Sequence, residues 1–230
     1  SGRYQDSILH RCPVSQLTGV SDFVVQGGGI FVSNRGKTNA ILDFVPSFGD
    51  IQNEFAVGRR HSNTYGTIAM AKRAGDTNSA SSQWFFNLGN NAFLDKPDTN
   101  NLFVVFGRVV GGTNVLNQFM GRLYGRGVVN LGGVLSELPV TYFGNRVPEY
   151  SELFYTDITL LNVQAQSVAE GGREISWNSI SNRVNVVEFA DAFPPVWRTL
   201  VSTNGDGSTL RVQDPTKDSA ARFYRVRVEF

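Results

Sequence analysis

Thr67-Ile68-Ala69-Met70-Ala71, Gln83-Trp84-Phe85-Phe86-Asn87-Leu88, Asn91-Ala92-Phe93-Leu94-Asp95 and Val104-Val105-Phe106-Gly107-Arg108-Val109-Val110 are the runs whose reading decides the fold. Each is short, apolar or aromatic, and bounded by Gly, Asn, Ser or Asp. That punctuation predicts strands rather than helices. Upstream, Phe23-Val24-Val25-Gln26 reads as another strand leading into Gly27-Gly28-Gly29, a bend where backbones approach closely. Downstream, residues 112–120 are the best helix candidate, with Thr113 as the expected N-cap. Phe154-Tyr155-Thr156-Asp157-Ile158-Thr159-Leu160-Leu161-Asn162-Val163 reads as one long strand.

Composition agrees with a folded, sheet-rich chain. Of 230 residues 41% are hydrophobic and 18% charged, too apolar for a disordered polymer. Phe is frequent, at 17. Lys+Arg is 21 against 20 Asp+Glu, a net charge of +1 that gives no support for a nucleic-acid partner. Cys12 is the only cysteine, so neither an intrachain disulfide nor a thiolate zinc site is expected. The two histidines, His10 and His61, have no metal-ligand spacing, and no cofactor is expected. No apolar run is long enough to predict a membrane-spanning helix. The chain has no Walker-type phosphate loop and no Gly-x-Ser-x-Gly nucleophile turn.

The pattern changes after Val163. Residues 164–172 are small and polar and read as a linker or the entry to a hairpin. Five alternating stretches follow, beginning at Arg173, Arg183, Trp197, Ser208 and Arg222, with Asn204-Gly205-Asp206-Gly207 as a turn between two of them. The expected organisation is therefore a first domain over residues 1–163 and a small β-rich module over 164–230.

The runs quoted above, in their order and spacing, resemble the cyclophilin family of peptidyl-prolyl cis-trans isomerases. Tyr4-Gln5-Asp6-Ser7-Ile8-Leu9-His10-Arg11 and Phe23-Val24-Val25-Gln26-Gly27-Gly28 extend the resemblance, which covers about residues 1–163. It implies a mainly β fold with few helices, a closed β-barrel, and catalysis of rotation about X–Pro bonds in peptides and folding proteins. The alternative is a non-catalytic module of the same fold that captures proline-containing segments. The family's catalytic arginine corresponds to Arg11, with Gln26 beside it. Phe23, Val24, Phe85, Phe93, Leu94 and Phe103 correspond to the walls of its proline pocket. Gln83, Ala71 and Lys72 correspond to positions that meet the substrate backbone. Phe85 and its neighbours could equally be ordinary core aromatics, and Gln26 and Gln83 could be structural hydrogen-bonding groups.

Several positions depart from the family pattern. Eleven residues, Cys12 to Asp22, separate Arg11 from Phe23, an insertion relative to the common form. Lys96 to Leu102 extends a loop near the pocket. Phe93 stands where a tryptophan binds cyclosporin-type ligands, so the indole N–H is missing and weaker inhibitor binding is expected. Phe103 occupies a position that is often His in eukaryotic members and aromatic in bacterial ones. The family fold normally starts earlier, with two strands and a helix, so the expectation is either that a separate chain or cleaved fragment supplies them or that the chain is a partial one. The module after Val163 lies outside the family. It resembles small β-sandwich tails of exported bacterial proteins, the sole pointer to a periplasmic or extracellular location and to an adhesion or surface-attachment role.

Overall fold

The computed structural model describes residues 3–13, 23–96, 101–120, 127–158, 161–169, 171–216 and 221–229. The chain divides into two compact units, Ser1–Ile158 and Thr159–Phe230. Most of the expected insertion after Arg11 (residues 14–22) and part of the expected loop extension (residues 97–100) lie outside the described residues.

Among its described residues the first unit holds ten short strands. They are β1 (Ser7–Ile8), β2 (Val24–Gly27), β3 (Ile30–Ser33), β4 (Ile41–Phe44), β5 (Thr67–Met70), β6 (Trp84–Asn87), β7 (Val105–Arg108), β8 (Gly127–Val129), β9 (Leu138–Val140) and β10 (Tyr155–Thr156). They form sheets of order β10-β1-β3-β4, β2-β6-β5-β7 and β8-β9. All named pairings are antiparallel. Among the described residues these ladders stay separate sheets, and no closed barrel is traced.

The β2-β6-β5-β7 sheet positions the site, through simple alternation. Residues directly opposite in an antiparallel ladder share a face, and neighbours along a strand point to opposite faces. Gln26 pairs with Phe85, Phe85 with Ala69, and Ala69 with Val105. Val24 is two residues from Gln26 and Ala71 two from Ala69, so both fall on the same face. Val24, Ala69, Phe85 and Leu94 form a buried cluster there, with Phe23, Ala71, Phe103 and Val105 against it. The opposite face carries Val25 and Trp84, which pack with Leu9, Cys12, Leu88, Leu116 and Phe119. Burying a Phe or Leu side chain contributes about 1.5–3 kcal/mol, so both faces of this one sheet are covered.

The glycine bend has a definite cause. Gly28 has φ 75°, and a Cβ there would lie 2.5 Å from the Ser82 carbonyl oxygen and 2.7 Å from the Trp84 ring nitrogen. A side chain is excluded by space as well as by dihedral angle. The expected helix is present as the short α1 (Thr113–Asn117). Its N-cap is Gly112, at φ 73° and without a side-chain cap, rather than Thr113. The left-handed start favours glycine and puts Thr113 inside the first turn.

The second unit contains β11 (Val163–Ser167), β12 (Arg173–Asn178), β13 (Val184–Ala190), β14 (Arg198–Asn204), β15 (Thr209–Asp214) and β16 (Phe223–Glu229). They pair as two three-stranded sheets, β11-β12-β15 and β14-β13-β16. Ile175 and Trp177 from one and Val187 from the other share a buried cluster. One of two readings of this stretch holds and another expectation needs correcting. Residues 164–167, read as a linker or a hairpin entry, take the second form: they lie in strand β11, which pairs antiparallel with β12 and whose side chains are largely exposed at a sheet edge, which is why they are polar. The single long strand over residues 154–163 is instead β10 and the start of β11, with Asp157, Ile158, Leu161 and Asn162 in neither strand.

Candidate active site

Arg11 follows β1 and meets β2 through a bridge to Gln26. The Gln26 N–H donates to the Arg11 carbonyl at 2.8 Å, and the His10 N–H donates to the Gln26 carbonyl at 3.0 Å. This backbone contact brings the two side chains together. Arg11 Nη1 donates to Gln26 Oε1 at 3.4 Å, and Gln26 Nε2 donates to Gln83 Oε1 at 2.7 Å. Gln83 precedes Phe85 by two residues, so alternation aims it to the same face as Gln26 and Phe85. His10, next to Arg11 in the chain, is buried. Burial lowers its pKa to about 4, although the Ile8 backbone and Gln83 favour the proton, and the nearby Arg11 charge lowers it further. At neutral pH the imidazole is therefore uncharged, and the guanidinium is the cation of the group.

The aromatic wall is assembled beside the relay. Phe85 and Phe103 meet edge to face with centroids 5.6 Å apart, while Phe23 and Phe93 stack at 5.7 Å. Val24, Phe85 and Leu94 are buried, whereas Phe93 is 47% exposed and presents its ring to solvent. Lys72 Nζ lies over the Phe103 ring at 4.5 Å, and burial lowers the Lys72 pKa despite nearby Asp76. Ala71 donates its N–H to the Gln83 carbonyl at 2.9 Å, so that amide is engaged within the protein. A separate cavity of about 240 Å3, lined by residues including Ile51, Asn53, Met70, Lys72, Leu102 and Phe106, shares only Lys72 with the expected site residues.

Sequence reasoning missed what holds these walls in place. Asn63 Nδ2 donates to Asp95 Oδ1 at 2.7 Å and to the Phe103 carbonyl at 3.0 Å. Asn87 Nδ2 donates to Asn63 Oδ1 at 2.9 Å. Asn91 Nδ2 donates to Asn87 Oδ1 at 2.8 Å and to the Phe23 carbonyl at 2.7 Å. One buried amide network thus ties the segments bearing Phe23, Phe93, Leu94 and Phe103 to the sheet. Asn87, Asn91 and Asp95 lie in the motif runs and Asn63 just upstream of the first, but their joint role needs the fold. Glu137 was missed too: its carboxylate accepts from Arg11 Nε at 2.7 Å.

The described residues contain no group of three His, Cys, Asp or Glu side chains placed to hold a metal ion. The arrangement offers a fixed cation, two carboxamides and an apolar aromatic surface.

The model of the cyclophilin-type peptidyl-prolyl cis-trans isomerase/CLD family matches residues 1–126. The chain belongs to the cyclophilin family. It is mainly β with very few helices, and its first unit has the cyclophilin fold. A peptidyl-prolyl cis-trans isomerase of Streptomyces antibioticus is 36% identical over 124 residues, covering 53% of this chain and 64% of that protein. A peptidyl-prolyl cis-trans isomerase of Acinetobacter baylyi is 34% identical over 115 residues, covering 50% of this chain and 52% of its own length. Peptidyl-prolyl cis-trans isomerase A of Dickeya dadantii is 37% identical over 119 residues, covering 51% and 53%. The cyclophilin match thus spans about half to two thirds of these relatives. A solved cyclophilin-type isomerase of Cryptosporidium parvum matches at 22% identity with a TM-score of 0.30, covering 51% of this chain and 63% of that one, too loose a superposition to support a comparison of sites. No helix among the described residues is long and apolar enough to cross a membrane.

Proposed function

We propose that this cyclophilin is a peptidyl-prolyl cis-trans isomerase acting on exposed X–Pro bonds of peptides and folding proteins. The observation that carries the reading is the Arg11–Gln26–Gln83 relay on the sheet face that also carries Val24, Phe85 and Ala71. The chemistry asks for little more. Amide resonance sets a rotational barrier of about 18–20 kcal/mol. At the twisted transition state the prolyl nitrogen regains a lone pair, and a donor aimed at it stabilises that state over both planar ones. Arg11 supplies the donor, and Phe85, Leu94, Phe103 and Phe23 with Phe93 supply an apolar seat for the pyrrolidine ring. Gln26 and Gln83 orient the guanidinium, while Ala71 and Lys72 flank the peptide backbone.

A second reading, a proline-peptide binding module with little turnover, draws on the commitment of Arg11 Nε to Glu137. Exchange spectroscopy on an Ala-Pro-Phe peptide tests both. Cross-peaks between its cis and trans resonances that grow with added protein support the isomerase. Chemical-shift changes on binding without faster exchange support the module.

The remaining architecture belongs to the same proposal. Residues 1–163 act as a barrel-like isomerase domain. Residues 164–230 act as a β-sandwich-like module, supported by two sheets that share one core. That module is proposed to attach the isomerase to a surface or partner.

A further inference from the structure

We infer that Glu137 is a positioning residue for Arg11, clamping the guanidinium by its Nε edge so that its remaining N–H groups stay aimed for turnover. This inference rests on the isomerase reading above.

Two contacts fix the clamp. Glu137 Oε2 accepts from Arg11 Nε at 2.7 Å, and the Glu137 main-chain carbonyl accepts from the Cys12 N–H at 2.7 Å. The carboxylate is therefore carried by a residue bonded through its backbone to the arginine's own neighbour. Cys12 is wholly buried in the core, so the anchor is attached to a packed part of the fold. Glu137 directly precedes β9, which is paired with β8. Gln26 holds a second edge of the guanidinium through Nη1. A guanidinium has five N–H donors in one plane. With Nε and Nη1 held on two sides, the plane is set, and Nη2 is the nitrogen left for substrate.

The pair is also partly open to water, with side chains 42% and 32% exposed. Ion pairs of that kind contribute little to stability. Its consequence is orientation: an arginine side chain otherwise samples many rotamers, and a preorganised donor is what transition-state stabilisation requires.

The test uses the whole chain, the variants Glu137→Gln and Glu137→Asp, and two readouts. The first is the Arg11 Nε–H resonance in 1H–15N spectra, assigned by its loss in Arg11→Lys. It is expected to be sharp and slow to exchange in the parent chain, to broaden or exchange rapidly in Glu137→Gln, and to recover in part in Glu137→Asp. The second is steady-state isomerisation of a proline peptide. Glu137→Gln is expected to lower kcat about 10- to 100-fold, the scale on which a misplaced reacting group costs rate, with KM and the melting temperature nearly unchanged and partial rescue in Glu137→Asp. An unprotected Nε–H in the parent chain overturns the clamp. A protected Nε–H lost in Glu137→Gln with unchanged kcat overturns its role in turnover. Absence of turnover in the parent chain sinks the isomerase reading instead, and the resonance still decides whether Glu137 holds the guanidinium.

Discussion

Arg11 and His10 are adjacent in sequence and have opposite electrostatic fates. Arg11 stays half exposed and charged, while His10 is buried and its pKa is held at about 4. An unfolded histidine takes its proton near pH 6.5. As pH falls, the unfolded chain therefore protonates before the folded one. The stability that neutral His10 contributes is complete above about pH 6.5 and is lost progressively down to about pH 4, by a total on the order of 3 kcal/mol. Urea unfolding at pH 7 and pH 4.5 should show a larger loss in the parent chain than in His10→Gln, and equal losses would contradict it. Arg11, Gln26 and Gln83 were legible because they sit inside recognisable runs. Glu137 was not, because 126 residues separate it from Arg11 and only the closure of the fold makes them partners.

Strand alternation made much of the site readable at the level of elements. Thr67–Met70 and Trp84–Asn87 emerge as the strands their apolar patterns predict, and their parity sorts Phe85 from Trp84 without any side-chain geometry. Pattern was ambiguous or failed where environment, not periodicity, decides. Strand β11 is polar because it is an exposed edge, and residues 154–163 divide between two units although their side chains look continuous. The asparagine network is likewise invisible in sequence, since Asn63, Asn87 and Asn91 are individually ordinary loop or strand-end residues. Its consequence is specific. Asn87→Ala leaves the buried Asn63 and Asn91 amides each short of a partner, which costs about 1–3 kcal/mol and loosens the segments carrying Phe23, Phe93 and Phe103. The expected outcome is a lower melting temperature together with a raised KM for a proline peptide; a destabilised protein with unchanged KM would separate the network from the pocket.

Over the whole molecule, two units carry separate buried cores, one set around the β2-β6-β5-β7 sheet and one around Trp177. Trp177 is 1% exposed, and its ring nitrogen donates to Asn185 Oδ1 at 3.2 Å. Trp177→Ala should cost the second unit about 3–5 kcal/mol, lowering one calorimetric transition while leaving the proposed turnover of a proline peptide as it was; loss of both together would show that this turnover depends on the second unit. The family, the sheet face and the aromatic wall could be read from sequence because they lie in contiguous motifs. The second unit could be read only as alternating strands, since a small two-sheet core constrains volume more than identity. The central claim concerns Arg11 and is tested most directly by a protease-coupled assay on a proline peptide, comparing the parent chain with Arg11→Ala. The account predicts measurable turnover in the parent, a loss of about 10²- to 10³-fold in kcat/KM in the variant, and retained peptide binding; equal turnover in the two proteins, or none in the parent, would contradict it.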